Sequence, residues 1–462
     1  MMSSGNRGML SARSERVGDG AFVDTLVAAP GSVESGGRPQ ADAERAAVVA
    51  SALLVGILLP VASACGAPGS GAANVSFGEG GVVRTDFGGH DRAAAVVMQP
   101  DGRIVAAGGR GNEFALARYL PDGRLDRLFG RGGKVVTDVG ASAPAGWPRH
   151  GAVAVAVQRD GKIIAVGGLR QFVLVRYLPN GRLDSSFGTG GIVRTSFGGR
   201  GCRGQTFRDE ATALALQDDG KIVAAGSSCY DLALARYLLS GRLDPSFGSG
   251  GKVVTHLGWD DFSGADALVV QPDRKLILAV GVCCHLGEAE VLVRLTNQGR
   301  LDPNFGQRGQ TVFSLADQNG VAALALQADG SIVVAGWGMY VSQPPAGTPW
   351  KVYGLVRLTQ AGRLDPTFGK RGRLVSAAVS GLGIEPDGKI VALDGNSLVR
   401  YTPDGRLDAR FGSGGKQTRF AVGGTALALQ HDGKIVVVGS TGASRKHDFM
   451  LVRYTRAGKI DS

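Results

Sequence analysis

The stretch Ala211–Leu257, ATALALQDDGKIVAAGSSCYDLALARYLLSGRLDPSFGSGGKVVTHL, decides the fold. Ala211–Gln217 alternates apolar and polar residues, as a half-buried strand does. Asp218-Asp219-Gly220 follows, a hairpin turn in which glycine supplies the positive φ. Lys221–Gly226 reads as a second strand and Leu232–Tyr237 as a third. Ser240-Gly241 turns the chain, Leu243–Gly251 forms a longer link, and Lys252–Leu257 reads as a fourth strand. No part of the stretch keeps a 3.6-residue period, so helices are not expected.

The same unit recurs along the chain. Gly-(Arg/Lys)-(Leu/Ile)-Asp appears seven times, at Gly123, Gly181, Gly241, Gly299, Gly362, Gly405 and Gly458. A Phe-Gly pair recurs once per unit, at Phe77, Phe129, Phe187, Phe247, Phe305, Phe368 and Phe411, and a Gln-x-Asp-Gly-Lys-Ile turn appears seven times, from Gln99 to Gln430. In the turn, Arg274 replaces glycine, Ser331 lysine and Glu385 glutamine. Four short strands repeated seven times predict an all-β, seven-bladed β-propeller of four-stranded antiparallel blades over residues 75–462. The repeats start in mid-unit, with a Phe-Gly link and a strand at Val82–Phe87. They end after a third strand at Phe449–Tyr454. The N-terminal strand is therefore expected to complete the last blade.

The segments LDPSFGxGGKVVT, AxALxxQPDGKIVxAG and FALARYxPDGR resemble the bacterial delta-60 repeat family across about residues 75–462. That resemblance implies a β-propeller on secreted or surface proteins. It implies no established activity, so no catalytic residue is carried over.

Composition agrees with this reading. Glycine accounts for 74 of 462 residues, more than twice the usual share of about 7%. A helical bundle would lose about 1 kcal/mol at each interior glycine, whereas turns use them. Hydrophobic residues at 44% supply a core. Residues 65–462 carry a net charge of +12. These charges are spread through the repeats without a basic-aromatic patch, which argues against nucleic acid. They fit a solvated surface, or attraction to anionic cell-wall polymers or lipid head groups.

Residues 1–64 read as a leader and 65–74 as a flexible tether. The apolar run Ala46–Ala64 follows Arg45 and ends in Ala62-Ser63-Ala64-Cys65, as an export signal does. Lipidation at Cys65, ordinary cleavage and retention as an anchor are all open. An exported protein, anchored as a lipoprotein or secreted, is expected.

In a four-stranded blade the first-to-second turn and third-to-fourth link share one face. The second-to-third and blade-to-blade loops share the other. The repeated landmarks fall on the first face and the irregular insertions on the second, at 140–150, 198–210, 258–264, 337–351 and 440–447. Trp147, Trp259, Trp337 and Trp350 lie in or beside these insertions, as do His90, His150, His256, His285 and His447. Variable loops on a rigid frame carry binding, and tryptophan is enriched at hot spots. Trp147, His150, Trp259, His285, Trp337 and Trp350 are therefore candidate ligand-binding residues, set against the plainer reading that the rings pack the loops down. Cys202 and Cys229 flank one blade on this face and can form a disulfide in an oxidising compartment. Cys283-Cys284 is a vicinal pair with no deducible partner.

Other motifs reduce to structure. Gly199-x-Gly201-x-x-Gly204 has the letters of a dinucleotide fingerprint but precedes a strand, where the chemistry needs a helix. Gly248–Lys252 lacks the Ser or Thr of a phosphate loop. A single aspartate before each turn glycine is too few ligands for calcium. A residue required in every blade serves the blade. The sevenfold arginine (Arg118, Arg176 and their counterparts) and sevenfold aspartate (Asp126, Asp184) predict Arg–Asp bridges or capping of the link N–H groups. The sevenfold phenylalanine (Phe129, Phe187) is expected in the wedge between blades. The first strands should line the channel; apart from Asp266, Glu385 and terminal glutamines they offer no charge, histidine or cysteine. The sequence thus points to a monomeric, non-catalytic binding or scaffold module for a protein or glycan at the cell envelope. It points to no catalytic residue, metal or cofactor. The alternative is a secreted hydrolase or lyase using His150, His256 or His285.

Overall fold

A computed structural model describes residues 76–140, 151–168, 170–198, 209–229, 231–257, 263–282, 290–313, 318–339, 351–376, 379–394, 397–418, 424–441 and 447–462. The leader, the tether and Cys65 lie outside them. The described residues form twenty-eight strands and no helix. The strands make seven antiparallel four-stranded sheets.

Blade 1 comprises Asp91–Met98, Ile104–Arg110, Glu113–Tyr119 and Lys134–Thr137. In blade 3 the strands run Asp209–Leu216, Ile222–Ser228, Asp231–Tyr237 and Lys252–Thr255. Its first strand starts before the apolar alternation does, at Asp209, and its second runs on past Gly226 to Ser228. Backbone pairing continues there without an apolar face to mark it. Blade 7 comprises Gly424–Leu429, Ile435–Ser440 and Phe449–Tyr454, and Val82–Thr85 supplies its fourth strand. That strand pairs antiparallel with Phe449–Tyr454, Val82 opposite Val452 and Thr85 opposite Phe449. The N-terminal strand thus closes the ring, and the seven innermost strands touch their neighbours all the way round.

The last link is also shared. In six blades one continuous link of constant length joins the third strand to the fourth, as 120–133 does in blade 1 and 238–251 in blade 3. In blade 7 the same link is built from 455–462 and 76–81. Phe77 N–H donates to the Asp461 carbonyl at 3.4 Å, Gly81 N–H to Phe77, and Arg453 N–H to Gly81. All seven sheets, each with four strands, and the closed ring of inner strands are built from residues 76–462.

The core is seven inter-blade clusters, each holding one phenylalanine of the Phe-Gly pairs. All seven rings, including Phe129 and Phe187, are 0% exposed. Each ring packs against the link glycine of the following blade. A Cβ on Gly241 would lie 2.8 Å from Val193 Cγ2 and 2.9 Å from the Phe187 ring, and its φ is +85°. Close approach and a left-handed backbone therefore both demand glycine there. Each Phe-Gly glycine also donates its N–H to the carbonyl before that link glycine, as Gly188 does to Ser240 at 3.0 Å.

The arginines and aspartates serve the ring as expected, with one addition. Arg118 Nε donates to Asp126 Oδ2 at 2.9 Å, and Arg176 Nε to Asp184 Oδ2 at 2.9 Å. The other aspartate oxygen accepts a link N–H, from Leu128 and from Ser186, so bridging and capping occur together. The addition is that Nη1 reaches a carbonyl of the next blade: Arg118 to Pro179, Arg176 to Leu239 and, closing the circle, Arg453 to Pro121. Each guanidinium also lies 4.4–4.9 Å from the centroid of its Phe-Gly ring, within cation–π range.

Every first strand contains a β-bulge that the alternation does not reveal. The extra residue is Ala94, Val153, Thr212, Asp266, Ala322, Ser380 or Thr425. Where it bears a hydroxyl, it bonds across the seam. Thr212 donates to the Ala265 carbonyl, Ser380 to Gly424 at 3.2 Å and Thr425 to Ala93 at 2.9 Å. A bulge thus turns an inner-strand side chain into an inter-blade contact.

Candidate functional site

The two faces of the ring differ in construction. On the link face every first-to-second turn has one length, that of 99–103, and every continuous link has the length of 120–133. On the loop face the second-to-third connections range from 111–112 to 340–350, and the blade-to-blade connections from 377–378 to 138–151. Variation in connection length is confined to the loop face.

Most sequence-predicted ligand residues fall in those connections. Trp147, His150, Trp259, His285, Trp350 and Cys202 lie outside the described residues. Trp337 is described and is not in a loop. It belongs to the strand Ile332–Met339, opposite Gly320 and Tyr353. Its half-buried ring lies across Gly320, where an added Cβ would come within 2.4 Å of Nε1. Glycine in the inner strand makes room for the indole, a pairing that sequence spacing does not announce. Cys229 is disulfide-bonded, and the other four cysteines lie outside the described residues. Exposed His256 sits 2.9 Å from Asp231 through Nδ1 and Oδ1.

A cluster of histidine and aspartate side chains lies where blade 7 meets blade 1. Two His-Asp dipeptides, His90-Asp91 and His447-Asp448, come side by side through a parallel bridge between the histidines. Their rings are 6.0 Å apart. Asp91 N–H donates to the His447 carbonyl at 2.8 Å. His447 Nδ1 donates to the Thr441 carbonyl at 2.6 Å, and Asp448 N–H donates to Thr441 Oγ1 at 2.9 Å. One oxygen each from Asp86, Asp91 and Asp448 lies within 4.8 Å of the other two. Asp91 is fully buried, and its Oδ2 accepts Phe87 N–H at 2.6 Å. Burial raises its carboxyl above the ordinary value, the Phe87 bond opposes this, and the Asp86 and Asp448 charges add to the rise. Asp91 Oδ1 has no hydrogen-bond partner, but neither has Oδ1 of Asp209, which caps Phe197 from the same position in blade 3. The orphan oxygen therefore belongs to the strand position and does not mark a metal.

The apolar pattern of this first strand begins only at Ala93, so local sequence leaves Asp91 outside it although the strand starts there. The two His-Asp dipeptides were a legible signal, but nothing local says they meet. The earlier strand starts also bring exposed Arg92 and half-buried Glu210 to the loop-face ends of the inner strands.

A family described as "Domain of unknown function (DUF5122) beta-propeller" matches residues 99–129, 158–187, 217–247, 327–368 and 430–462. No curated protein matches the chain. Among solved structures, virginiamycin B lyase from Staphylococcus aureus, in a catalytically inactive form with quinupristin, is similar at 10% identity and a TM-score of 0.47, over 80% of this chain and 98% of that one. The polysaccharide lyase Uly1 is similar at 11% identity and a TM-score of 0.46, over 79% and 90%. The PQQ-bound aldose sugar dehydrogenase from Streptomyces coelicolor is similar at 16% identity and a TM-score of 0.40, over 65% and 93%. Four of the family matches run from the glutamine turn to the phenylalanine of the Phe-Gly pair and the fifth from Gln430 to Ser462, and the chain is a seven-bladed β-propeller.

Proposed function

We propose that this propeller, of the delta-60 repeat type, is an exported, non-catalytic binding or scaffold module. It is held at the cell envelope and recognises a protein or glycan through its loop face. One observation carries the reading: link-face connections keep constant lengths, while loop-face connections vary from tight turns to long insertions. The sevenfold arginines and six of the seven aspartates, which would otherwise suggest chemistry, are buried, and half-buried Asp365 is bonded to Arg357. Loops freed from the fold's demands are where recognition resides.

The test is a glycan array and an envelope-extract pull-down with residues 66–462, beside a Trp147→Ala/Trp259→Ala/Trp350→Ala variant. The expected result is a ligand retained by the parent chain and lost by the variant. Equal retention by both would overturn the assignment of the loop face. Turnover of a substrate in an activity screen would overturn the non-catalytic reading.

A further inference from the structure

The face opposite the loops has a chemistry of its own. The residue after the link glycine is a cation in all seven blades, from Arg124 to Lys459, and all seven are exposed. Arg124 and Arg406 pair with Asp122 and Asp404. The other five form no ion pair among the described residues. Seven further exposed cations, among them Arg127, Arg131, Arg308 and Arg371, stand on the same links. Outside the seven bridging aspartates, six of them buried and Asp365 half-buried, the side-chain carboxylates of these links are those of Glu79, Asp122 and Asp404. The links thus form a ring of positive charge, while in the first-to-second turns of the same face aspartates such as Asp101, Asp160 and Asp273 pair with the turn cations.

It is also studded with apolar side chains. Leu128 is 80% exposed and Leu239 56%, and Leu183, Leu407 and Ile460 stand beside their link cations. Leu128 occupies the position at which Ser186 and Ser246 bond their link aspartates, so an exposed leucine replaces a side chain with an intramolecular role. Constant turn and link lengths keep the face level. The first described residue, Ser76, enters the propeller here beside Asp461. A tether from Cys65 would span at most about 40 Å.

We propose that the link face docks on an anionic phospholipid bilayer. Its arginines would lie at head-group level and its leucines at the acyl boundary, leaving the loop face turned away from the membrane. Basic residues beside exposed leucines are the chemistry of an interfacial surface. A soluble polyanion would engage the cations and leave the leucines in water. The proposal concerns the opposite face from the ligand-binding reading and requires neither that ligand nor acylation at Cys65.

The experiment is co-sedimentation of residues 76–462 with phosphatidylcholine vesicles, with and without phosphatidylglycerol at about one lipid in three. Near an anionic surface each Lys or Arg contributes about 1 kcal/mol. Neutralising four should therefore weaken partitioning at least a hundredfold. The variant Arg182→Gln/Arg242→Gln/Arg300→Gln/Arg363→Gln removes exposed, unpaired cations, and its unchanged circular dichroism would confirm folding. Leu128→Ser/Leu239→Ser should weaken binding at least tenfold without changing the charge. Binding to phosphatidylglycerol vesicles, abolished by high salt and reduced in both variants, is the expected result. Three outcomes would overturn it: equal binding to neutral vesicles, no loss in the arginine variant, or a leucine variant that binds as the parent does. The last would indicate a polyanionic polymer as the partner.

Discussion

Asp244→Asn tests whether the sevenfold Arg–Asp pair holds the ring together. Asp244 is 3% exposed. It accepts from Arg236 Nε at 2.8 Å, Ser246 Oγ at 2.7 Å and Ser246 N–H at 3.1 Å, with Lys221 Nζ 3.3 Å away. Burial alone would raise its carboxyl. The Ser246 bonds and the Arg236 and Lys221 charges outweigh that and hold it at about 2, against 3.8 when unfolded. At about 1.4 kcal/mol per unit, this gap stabilises the fold by about 2.5 kcal/mol at neutral pH. Because the folded value is depressed, the stabilisation is complete above pH 3.8 and is lost as pH falls towards 2. Arg236, 1% exposed, would lose its counter-charge. Stranding a buried cation costs about 3–5 kcal/mol. Arg236 keeps the Asn297 carbonyl and Ser246 Oγ, so the lower end, about 3 kcal/mol, is expected at pH 7. Urea unfolding followed by tryptophan fluorescence, repeated from pH 7 to pH 2, measures both terms. The penalty of the variant should shrink by about 2.5 kcal/mol across that range. A penalty below about 1 kcal/mol at pH 7, or one that does not change with pH, would refute the pair's role.

Asp91→Asn should act in the opposite sense. The Asp91 carboxyl is raised by burial and then by Asp86 and Asp448, so its contribution is favourable below pH 3.8 and is lost as pH rises through the raised value. At pH 7 the asparagine keeps an acceptor for Phe87 N–H and sheds the repulsion. The melting temperature should therefore rise by about 2 °C, and a fall would refute the account. Gly241→Ala should cost more than about 2 kcal/mol, from clash and positive φ together. Gly250→Ala, with φ +60° and nothing within 4 Å of the new Cβ, should cost about 1 kcal/mol; equal losses in chemical denaturation would show that the Phe187 contact is unimportant. Starting the chain after Thr85 removes Phe77 and the closing strand. A lost core phenylalanine alone costs about 3–5 kcal/mol, so calorimetry should show a fall of roughly 10 °C or more. An unchanged transition would mean the ring is held elsewhere.

Much of the molecule could be read directly from the repeat. Strand order, the turns with their glycines and the structural roles of Arg118, Asp126 and Phe129 follow from local pattern. The same residues recur at every turn because every blade meets the same local demands. Arg274, at φ +65° where the other turns have glycine, shows how strictly the frame is kept. The candidate site was less legible. Asp91 is a buried seam residue because pairing extends past the apolar alternation, and backbone hydrogen bonds leave no hydrophobic period in the sequence. Trp337 reads as a loop residue until Gly320 is seen beneath it.

The sequence by itself determined the sevenfold count, the four-strand unit and the closure of the last blade by the first strand. All three depend on contacts within a unit or on which piece of a unit is missing. Only the tertiary structure decided what crosses from one blade to the next. Arg453 reaches Pro121, Thr425 bonds Ala93 and His447 lies against His90, joining the first blade to the last. Curvature of the ring brings these groups together, and no local periodicity records it. The division of charge between a basic, leucine-bearing link face and a variable loop face emerges for the same reason. Residues a whole repeat apart in sequence become neighbours on one surface only once the ring has closed.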